Sequence, residues 1–433
     1  SVMASCGMCH ELEEEGFADM HRHHSRVREA GLEPEREALL ADGPRLLLGE
    51  DRQMNCFRCH MEQSQHEHGL SAMEVEPGWS VTAALLGTGL VERTAHGYRW
   101  NRERIGEDGE AELQLQPVGE ANCGVCHGVV HDGSSPLTVE LGSGDAWTTE
   151  KTGQVFSPQR ISLSAMNLEA KDTLNIAWDV HAERLVSCND CHYSPLVPPH
   201  LAGEHGVSAS AVNLDLEEEG RRRCSSCHSL ADSHDWLPER QRHLAAVACE
   251  ACHVPQLHMA AQQFVDATVV RPDGSPKVTY RGIEGQAEEF RKAYVKGYRP
   301  LLRVGKRVDG DIQIFPYNLV TQWYWKDGGS GEPVPQQTLR RAWLEDGNYR
   351  IDIREAFDSN QDGRLDDDEL RLDDSLKVSL IARRLGDEGI EKPIIHGEIR
   401  AYPIHHNVRR GGLGRRDCKA CHHDADEKLP AFS

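Results

Sequence analysis

The stretch Cys188-Asn189-Asp190-Cys191-His192 is the pattern around which the chain is organised. Two cysteines separated by two residues and followed directly by a histidine form the attachment signature of c-type haem. The two thiols form thioethers with the haem vinyl groups, and the histidine binds the iron on the proximal side. The spacing suits this chemistry because the porphyrin edge fixes the distance between the two sulfurs. These residues therefore predict one covalently bound haem.

The pattern occurs seven times, and we number the predicted haems 1 to 7 in chain order. One copy alone would also fit a zinc half-site or a redox dithiol. The seven copies use all 14 cysteines, so no thiol is left for a zinc site or a disulfide. The predicted haem-bonding cysteines are Cys6, Cys9, Cys56, Cys59, Cys123, Cys126, Cys188, Cys191, Cys224, Cys227, Cys249, Cys252, Cys418 and Cys421. The predicted proximal iron ligands are His10, His60, His127, His192, His228, His253 and His422.

The composition predicts a small conventional core. Of the 433 residues, 38% are hydrophobic and 6% are aromatic, and the mean hydropathy is −0.58. Seven porphyrins would supply the missing apolar mass, with short helices and loops packed around them. We therefore expect a mainly α fold with extensive loops and a little β, wrapped around a stacked haem chain. Folding of such a chain depends on haem insertion.

The chain is strongly acidic, with a formal net charge of −22. Seven ferric haems with ionised propionates would bring the charge to about −29. Such a surface repels nucleic acid and anionic lipid headgroups, so we expect no nucleic-acid partner. The sequence has no run of 18 apolar residues, and we expect no transmembrane segment. Haem c is attached outside the cytoplasm, which predicts an exported, periplasmic or extracellular protein whose export signal lies outside this numbering.

Histidine is more abundant than the proximal ligands require, because 17 of the 24 histidines remain after those seven. This surplus favours two axial histidines at most or all haems. Iron with both axial positions filled passes electrons but has no open position for bond chemistry. His181 and His243 each stand shortly before a motif, where a histidine is well placed to bind a neighbouring haem. The sequence leaves open which histidine serves which haem.

The motifs predict two modules of unequal haem content. Residues 1–253 hold haems 1 to 6, and residues 254–433 hold haem 7. The second module contains residues 358–369, which match the twelve-residue EF-hand calcium loop. The sequence has no second loop to pair with it, so we expect one Ca²⁺ as a structural clamp, with an acidic solvated turn as the alternative. The predicted ligands are Asp358, Asn360, Asp362, Arg364 through its carbonyl, Asp366 and Glu369.

Eight segments together resemble a group of exported multihaem cytochromes c, related to the octahaem tetrathionate reductase-like type. In that group the soluble cytochrome is often encoded with, or fused to, a membrane b-type cytochrome. The segments are Met54–His60, Asn122–His131, Thr152–Ser162, Trp178–His192, His234–Pro255, Tyr317–Trp325, Phe357–Leu370 and Tyr402–Val408. Carried over segment by segment, the resemblance implies distal ligands at His21, His24, His131, His181, His234, His243 and His406.

The chain departs from the reductase type at the active site. That type has an eighth haem and a Cys-x-x-Cys-Lys motif, whereas all seven motifs here end in histidine. We therefore favour electron transfer over catalysis, between a membrane quinol-oxidising or b-type cytochrome and a periplasmic or extracellular acceptor. One alternative is a reductase of a sulfur or nitrogen oxyanion at an open haem. The other is a subunit of an extracellular conducting filament, which contacts other copies or other redox proteins through its haems.

Overall fold

The structure is a computed structural model, and it describes residues 91–94, 97–101, 103, 119–141, 147–192, 222–285, 293–306 and 312–422. The motifs of haems 3 to 7 and the predicted calcium loop lie within these ranges. The motifs of haems 1 and 2 and the predicted distal ligands His21 and His24 lie outside the described residues. The side chain of Cys126 is also outside the description.

Short helices and strands of very different lengths follow one another along the described residues. The α-helices are α1 (Glu120–His127), α2 (Trp147–Thr152), α3 (Val180–Glu183), α4 (Cys188–Cys191), α5 (Leu230–Ser233), α6 (Arg240–Ala246), α7 (Cys249–His253), α8 (Gln336–Trp343), α9 (Ile351–Phe357) and α10 (Ser375–Asp387). The strands are β1 (Val91–Thr94), β2 (Gly97–Trp100), β3 (Ala261–Ala267), β4 (Lys277–Arg281), β5 (Ile283–Glu284), β6 (Tyr294–Val295), β7 (Leu301–Lys306), β8 (Ile312–Asp327), β9 (Leu344–Glu345), β10 (Asn348–Tyr349) and β11 (Pro393–Pro403). Turns of 3-10 helix lie at Ile161–Leu163, Lys171–Thr173, Cys224–Ser226, Gly411–Leu413 and Cys418–Ala420. No helix of the described part is long and apolar enough to cross a bilayer.

The 16-residue strand β8 forms the centre of a five-stranded sheet. It pairs antiparallel with β7 along residues 312–317 and with β11 along residues 317–327. It also pairs parallel with β3, which continues antiparallel to β4. β-Branched and aromatic residues favour such extended structure, and β8 buries Phe315, Val320 and Trp325. One long strand therefore ties together segments that are distant in the chain.

The expectation of a mainly α fold is wrong, because the described residues form a mixed α/β structure with several sheets. Residue polarity does not mark this strand in the sequence. Buried and less buried positions alternate along much of β8, as in a half-buried strand, but the buried positions include the polar residues Gln313 and Asn318. The sheet thus supplies part of the apolar core that haem was expected to supply.

Apolar clusters lie in separate parts of the described chain. The C-terminal cluster is formed by α8, α9 and α10 together with other residues that include Val270 and Trp325, and it contains Trp343 and Phe357. A second cluster joins residues 137–178 to residues 259–295 and contains Trp178. A small cluster brings Val254, directly after motif 6, against Ile404. The predicted module boundary at residue 254 stays a prediction.

Asn407 holds the segment before motif 7 against the segment before motif 4. Its side chain is fully buried. Its Oδ1 accepts from the Val155 N–H at 2.9 Å, and its Nδ2 donates to the Trp178 carbonyl at 3.1 Å. Its φ of 67° lies in the left-handed region, which asparagine tolerates better than most residues. This anchor places His406 close to residues more than 200 positions earlier in the chain.

Candidate haem centres

Each described motif lies on one short helical turn. The motifs of haems 3, 4 and 6 lie on α1, α4 and α7, and 3-10 turns carry those of haems 5 and 7. Residues three apart share one side of a helix, so the two cysteines of a motif lie on one face. At motif 4 the Ser187 N–H donates to Asp190 Oδ2 at 2.7 Å. At motif 7 the Asp417 carboxylate accepts from the Lys419 N–H at 3.0 Å. These hydrogen bonds stabilise the turns that present the cysteines.

Four proximal histidines each approach a second imidazole, and all four second imidazoles belong to the predicted distal set. In every case the two residues come from different segments of the chain. The pairs, with the distance between ring centroids, are His192 with His406 at 6.3 Å for haem 4, His228 with His181 at 6.1 Å for haem 5, His253 with His234 at 6.1 Å for haem 6, and His422 with His243 at 5.9 Å for haem 7.

These separations match those of two imidazoles that share one metal ion. A metal–imidazole nitrogen bond is about 2.0–2.1 Å long, and the nitrogen lies about 1.1 Å from the ring centroid. Two axial histidines therefore have their centroids about 6.3 Å apart. The four observed distances, 5.9–6.3 Å, agree with this value. The pairs thus fit a haem iron between them.

Main-chain carbonyls lie next to the outer ring nitrogen of three of these candidate ligands. His253 Nδ1 lies 3.1 Å from the carbonyl oxygen of Arg409. His234 Nδ1 and His243 Nδ1 each lie 3.3 Å from the carbonyl oxygen four residues earlier in the chain. A proton that Nδ1 donates to a carbonyl leaves Nε2 unprotonated and free to bind a metal. The local backbone therefore selects the tautomer that iron ligation requires.

Asp179 lies next to the outer ring nitrogen of His181, the distal candidate of haem 5. Its Oδ1 accepts from the His181 N–H at 2.8 Å, which caps α3, and it also lies 3.4 Å from His181 Nδ1. Its Oδ2 accepts from the Val408 N–H at 3.0 Å. Burial opposes ionisation of this carboxyl, but hydrogen bonds from His181 and Val408 hold the pKa of Asp179 below its usual value. The hydrogen bond to Asp179 also raises the pKa of His181, so the imidazole becomes a more basic ligand.

The substitution Asp179→Asn is expected to raise the reduction potential of haem 5. The amide removes a negative charge and binds the imidazole N–H less strongly, so the ferric state loses stabilisation. We expect a three- to tenfold change in the reduction equilibrium, on the order of 30–60 mV for one electron. A potentiometric titration with haem-resolved spectra measures it. Glu284→Gln, which removes an exposed carboxylate paired with Lys296, is the control and should leave this potential unchanged. An unshifted haem 5 in Asp179→Asn would contradict the assignment.

Gln154 fixes two adjacent histidines that lie in different surroundings. Its Oε1 accepts from the main-chain N–H groups of His405 and His406, each at 2.7 Å. His405 Nδ1 lies 3.2 Å from Glu250 Oε1, whereas His406 approaches His192. Of these two histidines, His406 is therefore the one placed as an iron ligand.

The surroundings of haem 3 differ from those of haems 4 to 7. Among the described residues, no second imidazole approaches His127. His131 follows on a loop, with its Nδ1 2.9 Å from Ser157 Oγ. Its Nε2 is buried and has no hydrogen-bond partner within the described ranges. A buried ring nitrogen without a partner fits a metal ligand, so His131 stays a candidate for a haem next to haem 3.

The attachment cysteines of consecutive motifs lie close to one another. The thiols of Cys123 and Cys188 are hydrogen-bonded, which raises the pKa of Cys123 and lowers that of Cys188. A hydrogen bond with Cys224 likewise lowers the pKa of Cys249. These contacts join motif 3 to motif 4, and motif 5 to motif 6.

The remaining contacts between consecutive motifs involve Cys191 and Cys252. Burial raises the pKa of Cys191, and Asp190, Cys227 and Cys224 lie close enough to add to this rise. Burial, and then Cys421, raise the pKa of Cys252. Motif 4 therefore lies beside motif 5, and motif 6 beside motif 7. Motifs 3 to 7 follow one another in space in the order of the sequence.

The predicted calcium loop folds onto its own main chain. Gly363 has a φ of 82°, and its N–H donates to Asp358 Oδ2 at 2.8 Å. Glu369 Oε1 accepts from the N–H groups of Ser359 and Asn360 at 2.8 and 3.1 Å, and the bond from Asn360 lowers the pKa of Glu369. In the part of the chain that is described, no group of three or more His, Cys, Asp or Glu side chains is arranged to hold a metal ion. The carboxylates bind main-chain N–H groups instead, and the Ca²⁺ site stays a prediction.

Two residues that position the candidate ligands were not predicted from the sequence. Asp179 carries a local signal, because an aspartate directly before a helix is a preferred N-cap. No local sequence signal marks Gln154, because the residues that it contacts, His405 and His406, lie about 250 positions away in the chain. Its role follows only from the tertiary structure.

Comparison with known proteins gives one family match and one structural match. The family model of cytochrome c554 and c-prime matches residues 5–80, which contain motifs 1 and 2. The crystal structure of octaheme cytochrome c from Shewanella oneidensis aligns with a TM-score of 0.40 and 14% identity, covering 86% of this chain and 81% of that chain. No curated protein matches the chain. The family match and the repeated motifs support a multihaem c-type cytochrome that carries covalent haem and transfers electrons.

Proposed function

We propose that this multihaem c-type cytochrome is an exported electron relay with seven haems, each held between two histidines. The proposal rests on the four histidine pairs with ring centroids 5.9–6.3 Å apart. Bound haem supplies a one-electron couple, whose potential is set by the axial ligands, hydrogen bonds and burial. Histidines on both axial sides favour electron transfer, since a reductase needs an iron with an open distal position.

The spatial order of the motifs supports a continuous path for electrons. Motifs 3 to 7 lie next to one another in sequence order through their attachment cysteines. Electron transfer between redox centres requires short distances, and neighbouring attachment residues hold the edges of consecutive haems together. We therefore infer a relay in which electrons pass along the motifs in chain order.

The proposed donor is a membrane quinol-oxidising or b-type cytochrome, and the proposed acceptor is periplasmic or extracellular. Multihaem c-type cytochromes are typically exported, which supports this location. The net charge of −22 favours a partner that docks through a basic or neutral surface. Assembly into a filament through contacts between haems is the alternative.

Three measurements on the purified haem-loaded protein test the proposal. Intact-mass spectrometry is expected to show seven haems per chain, and a smaller number would contradict the proposal. A reductive titration should reduce every haem, without turnover of tetrathionate, nitrite or hydroxylamine, whereas turnover would identify a reductase. Light scattering over a range of concentrations distinguishes a single relay protein, which gives one particle size, from a filament that grows.

We further propose that residues 358–369 bind one Ca²⁺. The oxygen-bearing residues stand at the loop positions that Ca²⁺ requires, and Gly363 adopts the left-handed conformation of the sharp turn. Glu369 already folds across the loop to its first residues. Ca²⁺ would replace main-chain N–H groups as the partner of these oxygens and join α9 to the loop.

Added Ca²⁺ is expected to stabilise the protein against heat, by about 2.7 kcal/mol at a concentration 100 times the dissociation constant. Calorimetric titration after chelation measures binding, and thermal unfolding measures stabilisation. Glu369→Gln should abolish both effects. The control Asp368→Asn changes an exposed neighbour that pairs with Arg371, and it should keep them. Absence of binding in the wild-type protein, or equal binding by the two variants, would show that the loop is only an acidic turn.

A further inference from the structure

Arg409 is a buried cation whose charge is only partly satisfied by the described residues. Its side chain is 4% exposed. Nη1 donates to the Ala177 carbonyl at 2.5 Å. Nη2 is buried and has no hydrogen-bond acceptor among the described residues. A buried guanidinium without an anionic partner is costly, so this nitrogen indicates a missing acceptor.

The nearby carboxylate of Asp179 does not fill this role. It attracts Arg409 electrostatically, but its oxygens accept from the N–H groups of His181 and Val408. Burial lowers the pKa of Arg409 to about 10, with Asp179 opposing the change, so the guanidinium is charged at neutral pH. Burial, and then Arg409, lower the pKa of His258 to about 4, so that neighbour is neutral.

Arg409 lines a small cavity. Its volume is about 60 Å³, and its lining includes Arg160, Glu183, Arg409 and Arg410. Glu183 pairs with Arg160 at 2.9 Å and with Arg410 at 3.1 Å. Three arginines and one glutamate therefore line the cavity, and the glutamate pairs with only two of the arginines, so the lining carries a net positive charge. The space is large enough for a carboxylate group, which a guanidinium binds through two parallel hydrogen bonds.

Arg409 lies close to the candidate ligands of three haems. The N–H of Arg409 donates to the His253 carbonyl at 2.8 Å, and its own carbonyl lies 3.1 Å from His253 Nδ1. Asp179, beside Arg409, contacts His181, and His406 stands three residues earlier in the chain. These three histidines belong to haems 6, 5 and 4. The carboxylates that a c-type haem brings into such a junction are its propionates.

We propose that Arg409 binds a haem propionate at the junction of haems 4, 5 and 6, and that it thereby raises the reduction potential of that haem. The inference rests on the proposed function, because it requires the haems in place. A buried cation beside a propionate offsets the negative charge that reduction adds. It also keeps the propionate ionised over the physiological pH range.

The test compares Arg409→Gln with the control Arg383→Gln, which removes an exposed guanidinium of α10. Intact mass first establishes the haem content of each protein, and potentiometric titrations follow at several pH values between 5 and 8. In Arg409→Gln one haem should become harder to reduce, by about tenfold in the equilibrium constant, or 59 mV for one electron. Its potential should also fall as pH rises, because the unpaired propionate then titrates in this range. The wild type and the control should show neither change.

Full haem content with unchanged potentials and an unchanged pH slope would overturn the inference while leaving the relay intact. Failure of the proposed function itself would give a different result, because the wild-type protein would then carry no haem. If Arg409→Gln does not fold, Arg409→Lys decides the question, since it keeps the charge but loses the two-pronged geometry. The resonance Raman band of propionate bending should shift for one haem in that variant. An unshifted band would overturn the inference.

Discussion

Replacing His406 by alanine is expected to convert one low-spin haem into a high-spin haem that binds carbon monoxide. His406 approaches His192, with ring centroids 6.3 Å apart, and alanine leaves the distal side of haem 4 without a ligand. Loss of a strong donor destabilises the ferric state, so the potential of that haem should rise. Axial ligands tune haem potentials over about 0.8 V, so a rise on the order of 100 mV is expected. Optical titration with carbon monoxide should show one equivalent bound per chain.

The adjacent residue provides a matched control. His405 shares the Gln154 hydrogen bond with His406, but its ring contacts Glu250. In His405→Ala every haem that is low-spin in the wild type should stay low-spin, and no carbon monoxide should bind. If His405→Ala opens a haem and His406→Ala does not, the proposed ligand assignment at haem 4 is wrong.

Protein produced without haem attachment is expected to keep its C-terminal apolar cluster and to lose the structure of its haem-bearing segments. The C-terminal cluster buries large side chains on three helices, including Trp343, Phe357 and Ile381. Its longest helix, α10, has 13 residues. The turns of motifs 4 and 6 have only four and five residues. Helices this short are not stable in water without tertiary support.

Hydrogen exchange measured by mass spectrometry tests this contrast. Peptides from residues 336–387 should stay protected in the haem-free protein, whereas peptides from residues 222–253 should lose their protection by orders of magnitude. The haem-loaded protein is the reference for both regions. Equal protection of residues 222–253 in the two proteins would show that the polypeptide alone forms the haem-bearing turns. Loss of protection in residues 336–387 as well would show that the whole chain depends on haem.

The sequence predicted the chemistry of the site better than its architecture. The attachment signature is local, because the porphyrin edge fixes the spacing of Cys188 and Cys191, so it can be recognised in five residues. The strand β8 was missed because its buried positions include the polar residues Gln313 and Asn318, so no simple alternation of apolar and polar residues marks it. Its pairing with β3, β7 and β11 depends on segments far away in the sequence.

The pairing of the candidate ligands lay beyond what the sequence can predict. His181 precedes motif 4 but approaches the histidine of motif 5, and His243 precedes motif 6 but approaches that of motif 7. His406 approaches His192 across more than 200 residues. No local pattern encodes these encounters, because packing around Asn407 and Gln154 produces the last of them.

The most direct test of the central claim, that histidines occupy both axial positions of the haems, is spectroscopic. Electron paramagnetic resonance spectra of the oxidised protein, with optical spectra of the reduced protein before and after carbon monoxide, report the coordination of every iron. We predict that all haems are low-spin and that none binds carbon monoxide. A high-spin haem that binds carbon monoxide in the wild-type protein would contradict the relay and identify a catalytic centre.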